Sequence, residues 1–256
     1  MTADQKFLEE LNIYRNEVQS ALRFLYTELA IREIGSTRKG VLNAMNAAPT
    51  FWNTILSSLQ HSTFITLGRI FGTGRHNFST LLRSIESNKH MFTKEAFTER
   101  WEGNPDKRQV DHYLQTYLKK VYQPTEQDFD ELKKHFDEQR EQYKTIYYDI
   151  RQHFGHRLYV RKEDMEELFN KVNIVELEKS CVGLESLHEA LWQQYHNGRG
   201  PMLPIKRRRY STRNILKGKA QAHRVPPSNA QYIYEAREAL NILKEGKPLK
   251  TIKRPR

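Results

Sequence analysis

Residues 125–157 read TEQDFDELKKHFDEQREQYKTIYYDIRQHFGHR, and this stretch decides the fold. Phe129, Phe136, Tyr143 and Ile150 recur every seven residues, and Leu132, Gln139, Ile146 and His153 recur three residues later. Two rows with that spacing lie on one face of a long α-helix, which packs against a neighbouring helix or against a second copy of the chain. Pro124-Thr125 is a start signal for it. The stretch closes in a dense run of Arg and His, from Arg151 to Arg157. Basic residues there complement the helix dipole. An Arg and a His held close together can also work on a phosphate without a metal, one as cation and the other as proton carrier.

Working outward, the same helical spacing recurs. Leu8, Leu11, Val18, Leu22, Leu25 and Leu29 predict a helix over 3–34, with Gly35-Ser36-Thr37 ending it and Ser36 or Thr37 capping a short successor before Pro49. Residues 50–71 carry few charges and are expected to form the most buried helix. In it, His61 reads as a packed or surface imidazole, and Arg69 complements the dipole of the last turn. Asn77 or Ser79 opens a helix to about Asn88, and Thr93 a short one to Trp101. Gly103 to Asp106 is a turn signal, followed by a helix expected over 106–122. A strand-like bridge at Leu158-Tyr159-Val160 precedes further helix, and residues 174–196 carry Cys181 on an apolar stripe, where it reads as an inert buried thiol. A last helix is expected over 228–245. No period-two alternation of any length occurs. The reading is an all-α, up-and-down helical bundle with a basic C-terminal appendage.

Charge divides the chain in two. Of 42 Lys+Arg and 31 Asp+Glu, residues 199–256 hold 16 and 3, a balance of +13; the remaining 26 and 28 leave residues 1–198 at −2. The division expected is therefore a helical domain, 1–198, and a basic linker and tail, 199–256. Such a tail suits a polyanion or an acidic partner. Lys206, Arg207, Arg208, Arg209 and Arg213, with Tyr210 as a stacking ring, form a candidate nucleic-acid patch whose affinity should fall steeply with salt. A solvated or partner-docking tail has the same composition. The single cysteine excludes an internal disulfide framework. No signal-like start and no long apolar run occur, so a cytoplasmic location without membrane contact is expected. Phosphate-binding Gly-rich loops, His-Glu-x-x-His, zinc-type Cys pairs and the Ser nucleophile elbow are all absent, and neither metal nor cofactor is expected.

Within the basic run, Arg151 and His156 are five positions apart, about 140° around a continuous helix. They converge only where the helix ends or distorts, and Gly155 sits where a left-handed residue commonly terminates one. His153 falls on the apolar rows and reads as a polar member of the packed seam.

The run Arg151-Gln152-His153-Phe154-Gly155-His156-Arg157, an Arg and a His at the end of a long helix in an all-helical chain, resembles the signature of HEPN domains, and most of all their abortive-infection U-type branch. The helix of Phe51-Trp52 ending in Arg69-Ile70-Phe71 is similar to that branch's second block. The resemblance covers about residues 8–191. It implies a metal-independent endoribonuclease or RNA-binding module of phage defence or toxin type, a homodimer with two motifs facing across a cleft. Arg151 would hold the scissile phosphate with its planar fork of donors, and His156 would move the proton, leaving a cyclic phosphate end. Gln152, His153 and Arg157 would support them. Gln152 departs from the Asn, Asp or His found more often there.

Two other readings share these residues. A non-catalytic helical module would bind RNA, DNA or protein through its tail, with the cluster serving only as a dipole-matched helix end. Alternatively, the body is a regulated partner silenced by a cognate antitoxin, another defence protein or a nucleotide modification.

Overall fold

A computed structural model of the protein describes residues 2–72, 74, 77–102, 117–148, 173–200, 212 and 227–245. Among these residues there are eight α-helices and one 3-10 turn, and no strand: α1 (Ala3–Thr37), α2 (Lys39–Ala47), α3 (Pro49–Phe71), α4 (Phe78–Ser87), the 3-10 turn (Lys89–Phe92), α5 (Lys94–Glu102), α6 (Glu126–Ile146), α7 (Ile174–Asn197) and α8 (Pro227–Glu245). The fold is an all-α helical bundle. The chain groups into two compact units, Met1–Gln19 with Thr66–Arg207 and Ser20–Ile65 with Arg208–Arg256, so α1 and α3 each contribute to both.

The first unit is organised by the heptad rows of α6. Phe129, Leu132, Phe136, Gln139 and Tyr143 are all buried, and their partners lie within the chain. Phe136 stacks on Phe78 of α4 at 4.2 Å and on Phe71 of α3 at 5.8 Å, Tyr143 stacks on Phe71 at 5.0 Å, and Phe129 meets Phe92 at 6.0 Å. Of the two uses expected for these rows, packing on neighbouring helices is the one observed. α7 is equally committed: Leu177, Cys181, Leu184, Leu187, Leu191 and Tyr195 are buried along its length, and the Tyr14 hydroxyl of α1 donates to the Leu184 carbonyl at 2.9 Å.

The ends of these helices follow local chemistry. Asn77 Oδ1 accepts from the Thr80 N–H at 2.9 Å, which selects Asn77 over Ser79 as the cap of α4. Thr93 Oγ1 accepts from the Ala96 N–H at 3.2 Å. At the start of α6, Asp128 Oδ2 accepts from both the N–H and the hydroxyl of Thr125, at 2.7 and 2.8 Å, and the Tyr122 hydroxyl donates to the same carboxylate at 2.9 Å. Glycine closes α7: Gly198 has φ +53°, and a Cβ there would sit 2.7 Å from Val121 Cγ1. The Tyr122 N–H donates to the Gly198 carbonyl at 2.8 Å. That bond takes up the Tyr122 N–H, residues 121–125 carry no regular structure, and the helix expected to reach Tyr122 ends before the Lys119-Lys120 turn.

In the second unit, Ile31, Ile34, Val41, Leu56 and Leu240 form the core, with Met45, Trp52, Ile55 and Leu59 packed against it. α8 is held further by Arg38 Nη1 donating to Asn241 Oδ1 at 2.5 Å and by the Arg23 guanidinium over the Tyr232 ring at 5.4 Å. Two expectations are corrected here. Gly35-Ser36-Thr37 does end α1, but as its last turn, three residues beyond Ile34, with the Ser36 and Thr37 hydroxyls donating back to the Glu33 carbonyl at 3.0 and 2.6 Å. Neither residue caps α2, whose N-cap position is Arg38 without a side-chain bond. Gly35 instead permits close approach, since a Cβ there would lie 2.9 Å from Met45 Sδ.

The second correction concerns α3, which is not the most buried helix. Its C-terminal half is buried through Phe64, Leu67, Ile70 and Phe71, but Phe51 near its start is 58% exposed. Low charge marked both halves alike, but the first half packs only its Trp52, Ile55, Leu56 and Leu59 side on a core and leaves the other side to solvent. Phe136→Ala is therefore expected to cost about 3–5 kcal/mol in urea unfolding, whereas Phe51→Ala should stay within about 1 kcal/mol.

Candidate functional site

The approach to the basic run is set by α6. That helix closes at Ile146, and Tyr147 is its C-cap, with φ −113° and ψ −14° and its N–H donating to the Tyr143 carbonyl at 2.8 Å. The single helix expected to run on to Gly155 is thus interrupted at Tyr147, ahead of Arg151. A seven-residue row drifts around a straight helix, and the buried line follows that drift, passing from Tyr143 to Tyr147, whose rings are 6.2 Å apart. Tyr147 is 1% exposed. Burial first, and then the nearby Cys181 and Glu176 of α7, push its phenol well above the ordinary tyrosine range.

Arg69, in the second block, does more than match a dipole. Its Nε and Nη2 both donate to Glu17 Oε2, at 2.9 and 2.8 Å, and Nη2 also donates to Thr66 Oγ1 at 3.2 Å. The adjoining Phe71 carries the stack on Phe136 and Tyr143. The block Arg69-Ile70-Phe71 therefore joins α1 to the helix that leads into the Arg/His run. Its role is positional: one residue fixes α3 on α1, and another fixes α3 on α6.

α7 supplies two buried titratable groups beside this framework. Cys181 is fully buried, and burial with Glu178 and Glu185 pushes its thiol up to about 12, which suits the inert role expected of it. His188 is lowered to about 4 by burial and by the Arg15 guanidinium, so the imidazole is neutral. Among the described residues, no group of three or more His, Cys, Asp or Glu could hold a metal ion, and no helix is long and apolar enough to cross a membrane.

The proposed catalytic pair Arg151 and His156, with Gln152, His153 and Arg157, lies outside the described residues, as do Lys206, Arg207, Arg208, Arg209, Tyr210 and Arg213. Comparison with known families covers them: a family model described as AbiU2, of HEPN type, matches residues 4–213. The chain belongs to the HEPN AbiU2 family. No curated protein and no solved structure matches it. The AbiU2 match takes in α1 to α7, the Arg69 block and the Arg151–Arg157 run. It carries a HEPN-type, abortive-infection-related and nuclease-like role, RNA-related and tied to defence.

What sequence reasoning missed in this AbiU2 chain is the set of partners. The aromatic heptad of α6 signalled a packed face, but nothing local signalled Phe71 as its mate or Glu17 as the acceptor for Arg69. The neutral His188 gives a test of the framework. Its folded value lies below the ordinary 6.5, so its contribution is complete above pH 6.5 and is lost as pH falls from 6.5 towards 4. The loss has a slope of at most about 1.4 kcal/mol per pH unit. Urea midpoints measured at pH 7 and 5 should fall less for His188→Gln than for the wild-type chain.

Proposed function

We propose that the chain is a metal-independent endoribonuclease of HEPN type, acting in phage defence or as a toxin, with its site built by two copies. Arg151 holds the scissile phosphate with two parallel donors and stabilises the charge that grows on its oxygens. His156 takes the proton from the ribose 2′-hydroxyl or gives one to the departing 5′-oxygen. The 2′-oxygen then forms a bond to phosphorus as the bond to the 5′-oxygen breaks, leaving a cyclic phosphate and a 5′-hydroxyl. Gln152, His153 and Arg157 orient these groups, and Lys206 to Arg209, Tyr210 and Arg213 hold the strand. The observation that carries this reading is the AbiU2 match, which runs through both the Arg151–Arg157 run and the Arg69 block. The division into a helical domain, 1–198, and a basic tail, 199–256, belongs to the same proposal.

Gln152 favours a second reading, in which the chain binds RNA without cutting it. The amide keeps a donor and an acceptor but cannot take up a proton as a His or Asp does. The two readings part on one experiment. Labelled RNA incubated with the purified chain in EDTA should be cut to cyclic-phosphate ends, and Arg151→Ala and His156→Ala should each lower the rate by about 100-fold or more. Cutting that persists in both variants would sink the nuclease assignment. Tight, salt-sensitive binding with no cutting in any variant would support the binding reading.

A further inference from the structure

The basic C-terminal segment and the helices of residues 20–65 form one compact unit, Ser20–Ile65 with Arg208–Arg256. It holds 17 Lys+Arg and 5 Asp+Glu, a balance of +12, and the other unit holds 25 and 26, a balance of −1. Four of the 17 cations come from Ser20–Ile65. Arg32 is paired with Glu28 at 2.8 Å, and Arg23 lies over the Tyr232 ring of α8. Arg38 and Lys39, in the turn between α1 and α2, are adjacent and exposed, and among the described residues neither is in an ion pair. Arg38 is bonded instead to a neutral amide, Asn241 of α8, at 2.5 Å. α8 ends at Glu245, four residues past Asn241, a rise of about 6 Å. The sequence then runs through Lys247, Lys250, Lys253, Arg254 and Arg256 with no acidic residue. The α1–α2 turn and the root of this basic run therefore lie at the same end of one unit. α8 adds cations there rather than free rings. Tyr232 and Tyr234 are half-buried and already carry the guanidiniums of Arg23 and Arg237, at 5.4 and 5.0 Å. Arg237 also donates through Nε to Glu238 Oε1 at 3.0 Å.

We propose that the α1–α2 turn and the end of α8 form an RNA-docking surface, with Arg38 and Lys39 as its fixed cations, that grips phosphates without reading bases. The proposal rests on RNA being the polyanion of the proposed function, and its residues are distinct from the Lys206–Arg213 patch. A guanidinium fork matches a phosphate and an ammonium adds a point charge. Cations outside any ion pair can replace the counterions of a phosphate chain, whose release drives such binding. Other occupants fit less well. An anionic membrane would bury an apolar side beside the cations. Leu42 is exposed there, at 41%, but it stands alone among the exposed Asn43, Ala44, Asn46 and Ala47. A protein interface has a charge-depleted core, the reverse of a turn centred on two adjacent cations.

The test reads binding alone, with two fluorescein-labelled 2′-O-methyl RNA oligonucleotides of unrelated sequence, which lack the 2′-hydroxyl that cutting requires. By fluorescence anisotropy both should bind the full chain equally and weaken steeply between about 50 and 200 mM salt. Lys39→Glu and Arg38→Gln should each weaken both complexes alike, by about fivefold or more at low salt, and lower the logarithmic salt slope by about 1. Glu at the start of α2 complements the helix dipole, so Lys39→Glu keeps the test decisive where the Arg38 variant fails to fold. Lys6→Glu, the same charge change at the start of α1 in the other unit, should leave affinity within about twofold. Unchanged binding in Lys39→Glu, an equal loss in Lys6→Glu, or a loss confined to one sequence overturns the proposal. So does equal affinity for poly-L-glutamate, or a Lys39→Glu variant that releases phosphatidylserine vesicles while keeping RNA. Loss of binding in Lys39→Glu, alongside ordinary RNA that the unaltered chain leaves uncut, upholds this surface and sinks the nuclease assignment. Cutting with binding unchanged in both variants does the reverse.

Discussion

The first unit depends on the contact of Phe71 with the aromatic row of α6. One ring from the last turn of α3 lies against Phe136 and Tyr143, and Phe136 is backed on its other flank by Phe78. Stacked rings at these separations bury large apolar areas and constrain both distance and rotation. They therefore fix the axial position of α6, which a seam of aliphatic residues alone would hold less strictly. Tyr147 continues the constraint to the helix end, and whatever follows starts from a fixed point. A residue that must meet a phosphate to within a fraction of an ångström needs such support.

Hydrogen bonds define the ends of the elements that the rings hold in place. The Asp128 carboxylate gathers Thr125 and Tyr122, and the Gly198 carbonyl accepts the Tyr122 N–H. Together they tie the start of α6 to the end of α7 through the short non-helical segment 121–125. Arg69 does the corresponding work at the other side, since two donors on a single Glu17 oxygen hold α3 on α1. An exposed ion pair of this kind contributes little to stability by itself. Its value is directional, because it orients the turn that presents Phe71.

Much of this was legible in residue order. The seven-residue aromatic row marked α6 as a packed helix, and Thr125, Thr93 and Asn77 marked starts that hydrogen bonding then realised. These signals are local, as helical periodicity and capping are. What lay beyond reach was long-range. Whether Tyr122 stays helical depends on a carbonyl 76 positions later, at Gly198, and whether α3 is buried depends on which helices lie beside each half. Ser36 and Thr37 look like caps in sequence and act as a helix end, because the Glu33 carbonyl competes for their hydroxyls. For the site, the resemblance of the Arg151–Arg157 run to the HEPN signature named Arg151 and His156, while convergence of their side chains is a matter of backbone path. α6 breaks at its C-cap Tyr147, ahead of Arg151, with Tyr148 helical again.

The seating of Leu240 has a consequence for how this chain can vary. The C-terminal segment carries all the excess positive charge, yet through Leu240 it also plugs the core formed by Ile31, Ile34, Val41 and Leu56. Electrostatics and cohesion are thus written on the same length of polypeptide. A lineage that discarded the segment to shed its charge would uncover a greasy socket at the far end of α1. Shortening is therefore costly, whereas recolouring the solvent side of α8 residue by residue is cheap. Diversity in this region should accumulate as exchanged surface letters around an unchanging leucine.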